Sequence, residues 1–592
     1  MRQRGILFPA TNIPKIGRTT MVQIPRLFQW VAMAAFVAST TGACAQTGAR
    51  DAAAGVGAAA HTASAELTEA TLYEMLLAEI AVQRGELDLA ARTYLEVAKR
   101  TRDPRVARRA VEVASGAKLT DIAIEAAQLW QAMEPSSREA LQIVAALLVS
   151  DRRVDEAMPF LERLFASEGV NVESGFLQLN RLLAGNPDKK ANLRVIRSLA
   201  TRFQTLPQAQ FAVAQAASVA GDNEAALAAV ERALKLRPDW ELAAVLRAQV
   251  LLKRSPGEAA RSLEAFLGKH PEARDARMNY ARALVLDKRF PEARQQFETL
   301  LKSSPGDPDV VYAVGVLAFQ LKDFEVAEKN LKRVLGMDYR DPDGVRYLLG
   351  QLAEERSQWQ RAIEWYRQID DGDHALAARM RTANALAKQG RLEEARGYLH
   401  RVEAASDAEQ AQLVVAEAQL LRDAGRHEDA YQVLAQALTR QPGQPELLYD
   451  IALTAEKLER FDELEANLRK LIEVRPDHAH AFNALGYSLA ERNLRLGEAR
   501  ELIEKALELS PNDAFIIDSF GWVLYRQGDL EAAVRELRRA YSDRPDAEIG
   551  AHLGEVLWVM GERDEADKVW REALQSNPDN ETLLKTIRRL RK

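Results

Sequence analysis

From Leu72 to the end of the chain, apolar residues return every three or four positions, and turn signals interrupt them at half of a longer period. A stripe with that spacing runs along one side of an α-helix, so the pattern predicts helices throughout, each about a dozen residues long. Two stretches near the C-terminus fix the longer period. One reads Phe520-Gly521-Trp522, then Ala533, Leu537, Ala540 and Pro545. The other reads Leu553-Gly554, then Ala566, Trp570, Ala573 and Pro578. From each Gly an Ala follows at +12, another at +19 and a Pro at +24, and the set recurs after 33 residues. Pairs of helices joined by tight turns account for every member. Gly521 and Ala533 are small, which lets two helix backbones approach. Gly528 and Gly561 fall in the turns, where a residue without Cβ ends a helix in the left-handed conformation at no steric cost. Pro545 and Pro578 stop the second helix of each pair. One such pair cannot bury its apolar face alone, so successive pairs must stack into a continuous core.

The Ala that opens each second helix can be followed along the chain: Ala90, Ala123, Ala157, Ala226, Ala259, Ala293, Ala327, Ala362, Ala395, Ala430, Ala499, Ala533 and Ala566. Leu464 takes its place once. Pro135, Pro238, Pro271, Pro305, Pro442, Pro476 and Pro511 keep the same phase at the ends of second helices. This ladder resembles the tetratricopeptide repeat. It implies an all-α solenoid of about fifteen helix pairs over residues 66–580, wound as a right-handed superhelix, with residues 581–592 as a capping helix. The ladder weakens at three places: a degenerate unit near 173–205 containing Gly185-Asn186-Pro187, the stretch from Gly336 to Pro342, and Asp370-Asp371-Gly372-Asp373. Each is either a bend in the superhelix or a lengthened loop.

At 592 residues the chain exceeds one compact core, as a solenoid requires. Its 80 Lys+Arg against 86 Asp+Glu give a net charge of −6. Residues 1–43 hold five of the cations and no acid, so the remainder is more acidic still. That balance does not fit nucleic-acid binding.

The sole cysteine rules out an internal disulfide, and its position is informative. Arg26 precedes an apolar run at residues 27–38, the length of a secretory signal and short for a membrane span. Thr41-Gly42-Ala43-Cys44 follows. Small residues before a Cys resemble a bacterial lipobox, which predicts lipidation of Cys44 and a signal peptide at residues 1–43, with Met21 the alternative start. The other reading is ordinary cleavage at Ala43-Cys44-Ala45, releasing a soluble periplasmic protein. Residues 44–65 are rich in Ala, Gly, Ser and Thr and read as a flexible tether. No acid directly follows Cys44, which by analogy points to the outer membrane.

Candidate chemistry is sparse. His478 and His480 form the single close histidine pair, and a metal site needs more ligands. No GxSxG, HExxH or phosphate-binding Gly loop occurs. The reading is a chain without catalytic residues, metal or cofactor. In the family that the ladder resembles, first helices line a concave groove. On the last three units that places Asn483, Tyr487, Asp518, Trp522, Tyr525, Glu555 and Trp558 as candidate protein-binding residues. Rings beside amide and carboxylate groups suit peptide capture; equally, Tyr487 and Trp522 can pack between neighbouring helices.

Residues 481–541 (opening Ala481-Phe482-Asn483-Ala484-Leu485-Gly486-Tyr487) resemble the C-terminal signature of a proteobacterial family of outer-membrane tetratricopeptide lipoproteins. Residues 71–114 are similar to that family's opening. A studied type is the lipoprotein adaptor of a periplasmic carboxyl-terminal processing protease, which binds the serine protease together with its cell-wall hydrolase substrates. The resemblance implies the same partners here. A scaffold for polysaccharide export, or for another envelope assembly, is the alternative.

Overall fold

A computed structural model of the chain describes residues 68–167 and 171–591. The predicted signal peptide, the tether and Cys44 lie outside the described residues. Those described form 31 α-helices and one 3-10 turn, with no strand. Taken in order, the helices make fifteen pairs, from Glu69–Arg84 with Leu87–Thr101 to Ala547–Met560 with Arg563–Ser576. A last single helix, Glu581–Leu590, completes the array. This is the tetratricopeptide solenoid that the ladder predicts.

The local chemistry explains the boundaries. Side chains at the helix starts satisfy free backbone N–H groups: Asp513 accepts from Phe515 and Ile516, and Asp529 accepts from Ala532. The second helices end at Met133, Leu236, Ser303, Arg440, Val474 and Leu509, each two residues before a ladder proline. Gly528 and Gly561 stand at φ +90° and +89° in their turns. Other turns put Lys118, Arg152, Lys288, Lys322 or Glu459 in the same left-handed region, so the turn geometry persists where glycine is lacking.

Every ladder Ala is buried, and so is Leu464. A Cβ at Gly521 would come to 2.6 Å from the Leu537 side chain and 3.2 Å from the Ala533 carbonyl, and one at Gly554 would land on the Trp570 indole. The small residues are therefore set by close backbone approach.

The degenerate unit is a helix pair too, Val172–Leu182 and Lys189–Ala200. Asn192, three residues into the second helix, stands where other units have Ala. It is buried, donates to the Leu183 carbonyl at 2.8 Å, and accepts from buried Asn186 at 2.8 Å. A polar side chain can occupy that place because Asn186 and the Leu183 carbonyl satisfy it. The Gly336–Pro342 stretch leads directly into helix Pro342–Glu355, whose N-terminus Asp341 caps by accepting from Gly344. The acidic loop at 370–373 comes after the short helix Trp359–Tyr366.

Packing between units changes at the degenerate pair. Ahead of it, second helices meet across units: Leu87–Thr101 on Thr120–Met133, and Val154–Ala166 on Lys189–Ala200. From it onward, first helices meet: Val172–Leu182 on Pro207–Ala220, then Glu241–Leu252 and Arg274–Leu286 in turn. Near the C-terminus, Ala479–Glu491, Ala514–Arg526, Ala547–Met560 and Glu581–Leu590 form one such row.

Candidate protein-binding site

The seven candidate residues lie on three members of that last row. Helical spacing puts Tyr487, Asp518 and His552 in one line across the three helices, because stacked units bring together residues one repeat apart. The Asp518 carboxylate lies 2.9 and 3.1 Å from the His552 Nδ1. The Tyr487 hydroxyl approaches His552 Nε2 at 3.5 Å. Trp522 stacks on the imidazole with centroids 4.2 Å apart and planes at 27°, and its indole N–H donates to Glu491 at 2.8 Å. Tyr525 lies against Trp522 at 5.1 Å and donates to Glu555 at 3.3 Å. Arg589, from the last helix, closes the far end by pairing with Glu555.

Burial divides the set. Asp518 and Glu555 are buried, and Trp522 is only 4% exposed, wedged between successive first helices. Tyr487, Tyr525, Asn483 and Trp558 are half-buried and keep an accessible edge. Trp558 stands apart from the cluster. Its ring meets Trp570 at 5.5 Å and lies under the Arg563 guanidinium at 5.1 Å. The Asn483 side-chain oxygen is buried and accepts no hydrogen bond. The structure thus joins five of the seven residues into one network and leaves Asn483 and Trp558 outside it. Trp522, Asp518 and Glu555 serve the joint between units; open contact surface comes from Asn483, Tyr487, Tyr525 and Trp558.

The electrostatics arise from the same geometry. Burial pulls the His552 imidazole toward neutrality. The adjacent Asp518 carboxylate, its hydrogen bond, and the charges of Glu491 and Glu555 outweigh that and hold the imidazole above its ordinary value. Burial drives the Tyr487 hydroxyl well up, reinforced by the carboxylates of Glu491 and Asp518. Tyr525 rises for the same reasons, burial first and then Glu555. Both phenols therefore stay protonated as hydrogen-bond donors at neutral pH.

His552, Glu491 and Arg589 were not among the residues that the sequence singled out. The signal for them was the period itself. Asp518 and His552 are 34 residues apart, as are Glu555 and Arg589. Glu491 precedes Trp522 by 31. Stepping one repeat forward from Asp518 or Glu555, or one repeat back from Trp522, finds the partner.

The close histidine pair has a structural role at one member: His478 caps helix Ala479–Glu491 by accepting from the Ala481 N–H at 3.1 Å, and its ring packs on Tyr449. Among the described residues, no group of three or more His, Cys, Asp or Glu is placed to hold a metal ion. No described helix is long and apolar enough to cross a membrane.

A row of helix pairs stacked through first helices, with rings and polar groups at its edge, defines a helical-repeat protein that binds other proteins. The tetratricopeptide repeat family matches residues 253–308, 312–375, 380–445, 415–463, 449–514 and 519–581, and the chain belongs to that family. Its repeats make it a protein-binding scaffold. The chain is 35% identical to a TPR repeat-containing protein of Pseudomonas aeruginosa over 492 residues, 82% of each. It is 24% identical over 314 residues to cellulose synthase operon protein C of Pseudomonas fluorescens, covering 50% of this chain and 24% of that protein. Among solved structures, a thermophilic TPR protein of Thermus thermophilus matches 30% of this chain and 96% of its own, at 25% identity and a TM-score of 0.28.

Proposed function

We propose that the protein is a non-catalytic adaptor of the bacterial periplasm, anchored to the outer membrane through lipidated Cys44. It holds a carboxyl-terminal processing serine protease and a cell-wall hydrolase substrate on separate segments of one solenoid. The observation that carries this reading is the change of packing at the unit 172–200. Besides the contact of each second helix with the next first helix, second helices meet ahead of it (Leu87–Thr101 on Thr120–Met133, Val154–Ala166 on Lys189–Ala200) and first helices meet after it (Glu241–Leu252 on Arg274–Leu286, Ala479–Glu491 on Ala514–Arg526), so the chain offers two differently built surfaces. Fifteen pairs exceed what one short peptide needs. Holding two partners on one scaffold raises their effective concentration to roughly the millimolar range where the spacing is compatible, and it asks no chemistry of the scaffold. The similarity of residues 71–114 and 481–541 to outer-membrane tetratricopeptide lipoproteins supports the same reading.

Reconstituted degradation with purified protease, substrate and this protein tests it. Degradation should accelerate when the protein is added; equal rates with and without it refute the adaptor. In that assay Trp558→Ala should weaken one partner by about 1–2 kcal/mol if the half-buried ring is an anchor, and leave the other bound. Metabolic labelling with a lipid analogue tests the anchor, with Cys44→Ala as the unlabelled control.

A second reading, a scaffold for polysaccharide export, is favoured by the similarity to cellulose synthase operon protein C over half of this chain. Co-purification with synthase and export subunits, in place of a protease, would select it.

A further inference from the structure

The first described helix, Glu69–Arg84, is apolar on both sides. Ala78 and Ala81 are buried against the second helix of its pair. On the opposite side Leu72 is 46% exposed, Tyr73 68%, Leu76 55%, Leu77 37% and Ile80 47%. An amphipathic surface helix turns polar residues outward, and a helix that is apolar all round is a buried one. Among the described residues nothing covers this face. At the other end of the solenoid, the outer face of helix Glu581–Leu590 carries exposed Glu581, Lys585 and Arg588, and only Leu583 and Thr586 are buried. That helix closes the array; Glu69–Arg84 does not.

We infer that the uncovered face is the contact for a second copy of this chain, formed by two Glu69–Arg84 helices packed antiparallel about a twofold axis. The face is self-complementary. Glu69, Tyr73, Leu76 and Ile80 step by four, three and four residues, the spacing of a helix–helix seam. Glu69 and Arg84 sit at opposite ends of the apolar strip on that side; both are exposed, and neither forms an ion pair with a described residue. A twofold axis between Leu76 and Leu77 lays Glu69 of one copy beside Arg84 of the other. It also sets Tyr73 against Ile80 and Leu76 against Leu77, twice over, as an isologous contact requires. A parallel pairing would oppose like charges at both ends.

The chain's own tether is a poor substitute. Residues 45–67 contain two large aliphatic side chains, Val56 and Leu67, against five large side chains on the face. A helix of this length spans about 24 Å. The paired surface then falls near the low end for specific interfaces, about 1,000 Å² in total. Such an area supports a concentration-dependent dimer, not a permanent one. It would bring two solenoids together at their first units and leave both C-terminal rows free.

Sedimentation velocity of the purified full chain across concentration tests this. The dimer fraction should rise with concentration. Leu76→Asp and Tyr73→Ser should each give a monomer with an unchanged far-UV circular dichroism spectrum. Glu69→Arg alone should raise the dissociation constant at least about tenfold by opposing like charges (about 1.4 kcal/mol), and adding Arg84→Glu to the same chain should restore it. The inference is overturned by a wild type that stays monomeric up to ~100 μM, far above a micromolar Kd. It is also overturned by a dimer that survives Leu76→Asp, which places the contact elsewhere. A monomeric wild type whose Leu76→Asp variant loses a different protein would assign the face to that protein.

Discussion

The two ends of the solenoid solve the same problem in different ways. A stack of helix pairs always exposes the outer face of its first and last unit. At the C-terminus that face is closed within the chain. Helix Glu581–Leu590 buries Leu583, and its Arg589 reaches back to Glu555 one unit earlier. Inside that cap, Trp522, His552, Asp518, Tyr487 and Glu491 tie three consecutive first helices together. At the N-terminus the outer helix presents Leu72, Tyr73, Leu76, Leu77 and Ile80 to solvent. The lesson is that an apolar ladder states only that a face must be covered. Whether the chain or another molecule covers it depends on the segment adjoining the terminal unit. At the C-terminus that segment is a charged amphipathic helix; at the N-terminus there is no comparable helix among the described residues.

Substitutions should therefore act as stability changes at one end and as association changes at the other. The largest effect is expected at Trp522. Replacing this nearly buried ring by Ala removes the stack on His552 and the bond to Glu491, a class of change that costs about 3–5 kcal/mol. Because each unit contacts mainly its neighbours, the loss should remain local. Limited proteolysis should nick the last units while those ahead of residue 200 stay intact; collapse of the whole chain would show that the units are not independent.

Gly554→Val comes next. Its Cβ meets the Trp570 indole, so the helix pair must open, at about 1–3 kcal/mol for overpacking. Hydrogen exchange should rise in residues 547–576 and stay unchanged near the N-terminus.

The pH response is smaller. The folded state holds the His552 imidazole above 6.5. Its contribution to stability is thus fully present below about pH 6.5 and is lost as pH rises through the folded value. Protection of the C-terminal units should fall as pH rises above about 6.5, and this component should vanish in His552→Gln. A His552→Gln variant with the same pH dependence as wild type would remove the imidazole from the account.

The smallest effect on folding belongs to Leu76→Asp at the other end. Its side chain faces solvent, so folding stability should change by no more than about 0.5 kcal/mol, measured by urea denaturation at a concentration where the chain is monomeric. A large loss there would mean that the face is already packed within the chain, and the contrast between the ends would disappear.

Much of this was legible without coordinates. The Gly–Ala–Ala–Pro spacing at 521–545 and 554–578 fixed the period, and the buried Ala ladder fixed the helix pairs, because close backbone approach admits few residue types. Asn192 escaped the ladder since an amide at an Ala place reads as a break; only the partner Asn186 makes it a core residue. The candidate site was half legible. Its aromatic and acidic members stand out on their helices, yet the choice between groove and joint for Trp522 rests on how far it is buried between neighbours. His552 looks like one scattered histidine among eight until Asp518 is set beside it.

The sequence by itself determined the repeat, its phase, the turns and the number of units, since each arises from local sterics and spacing within one helix pair. The tertiary structure alone decided which helices touch across units, where that choice switches, which polar groups are closed into a network and which apolar face stays open. Those are properties of the stacking of one unit on the next, and contacts between residues more than thirty positions apart depend on the angle of that stacking, which no single repeat encodes.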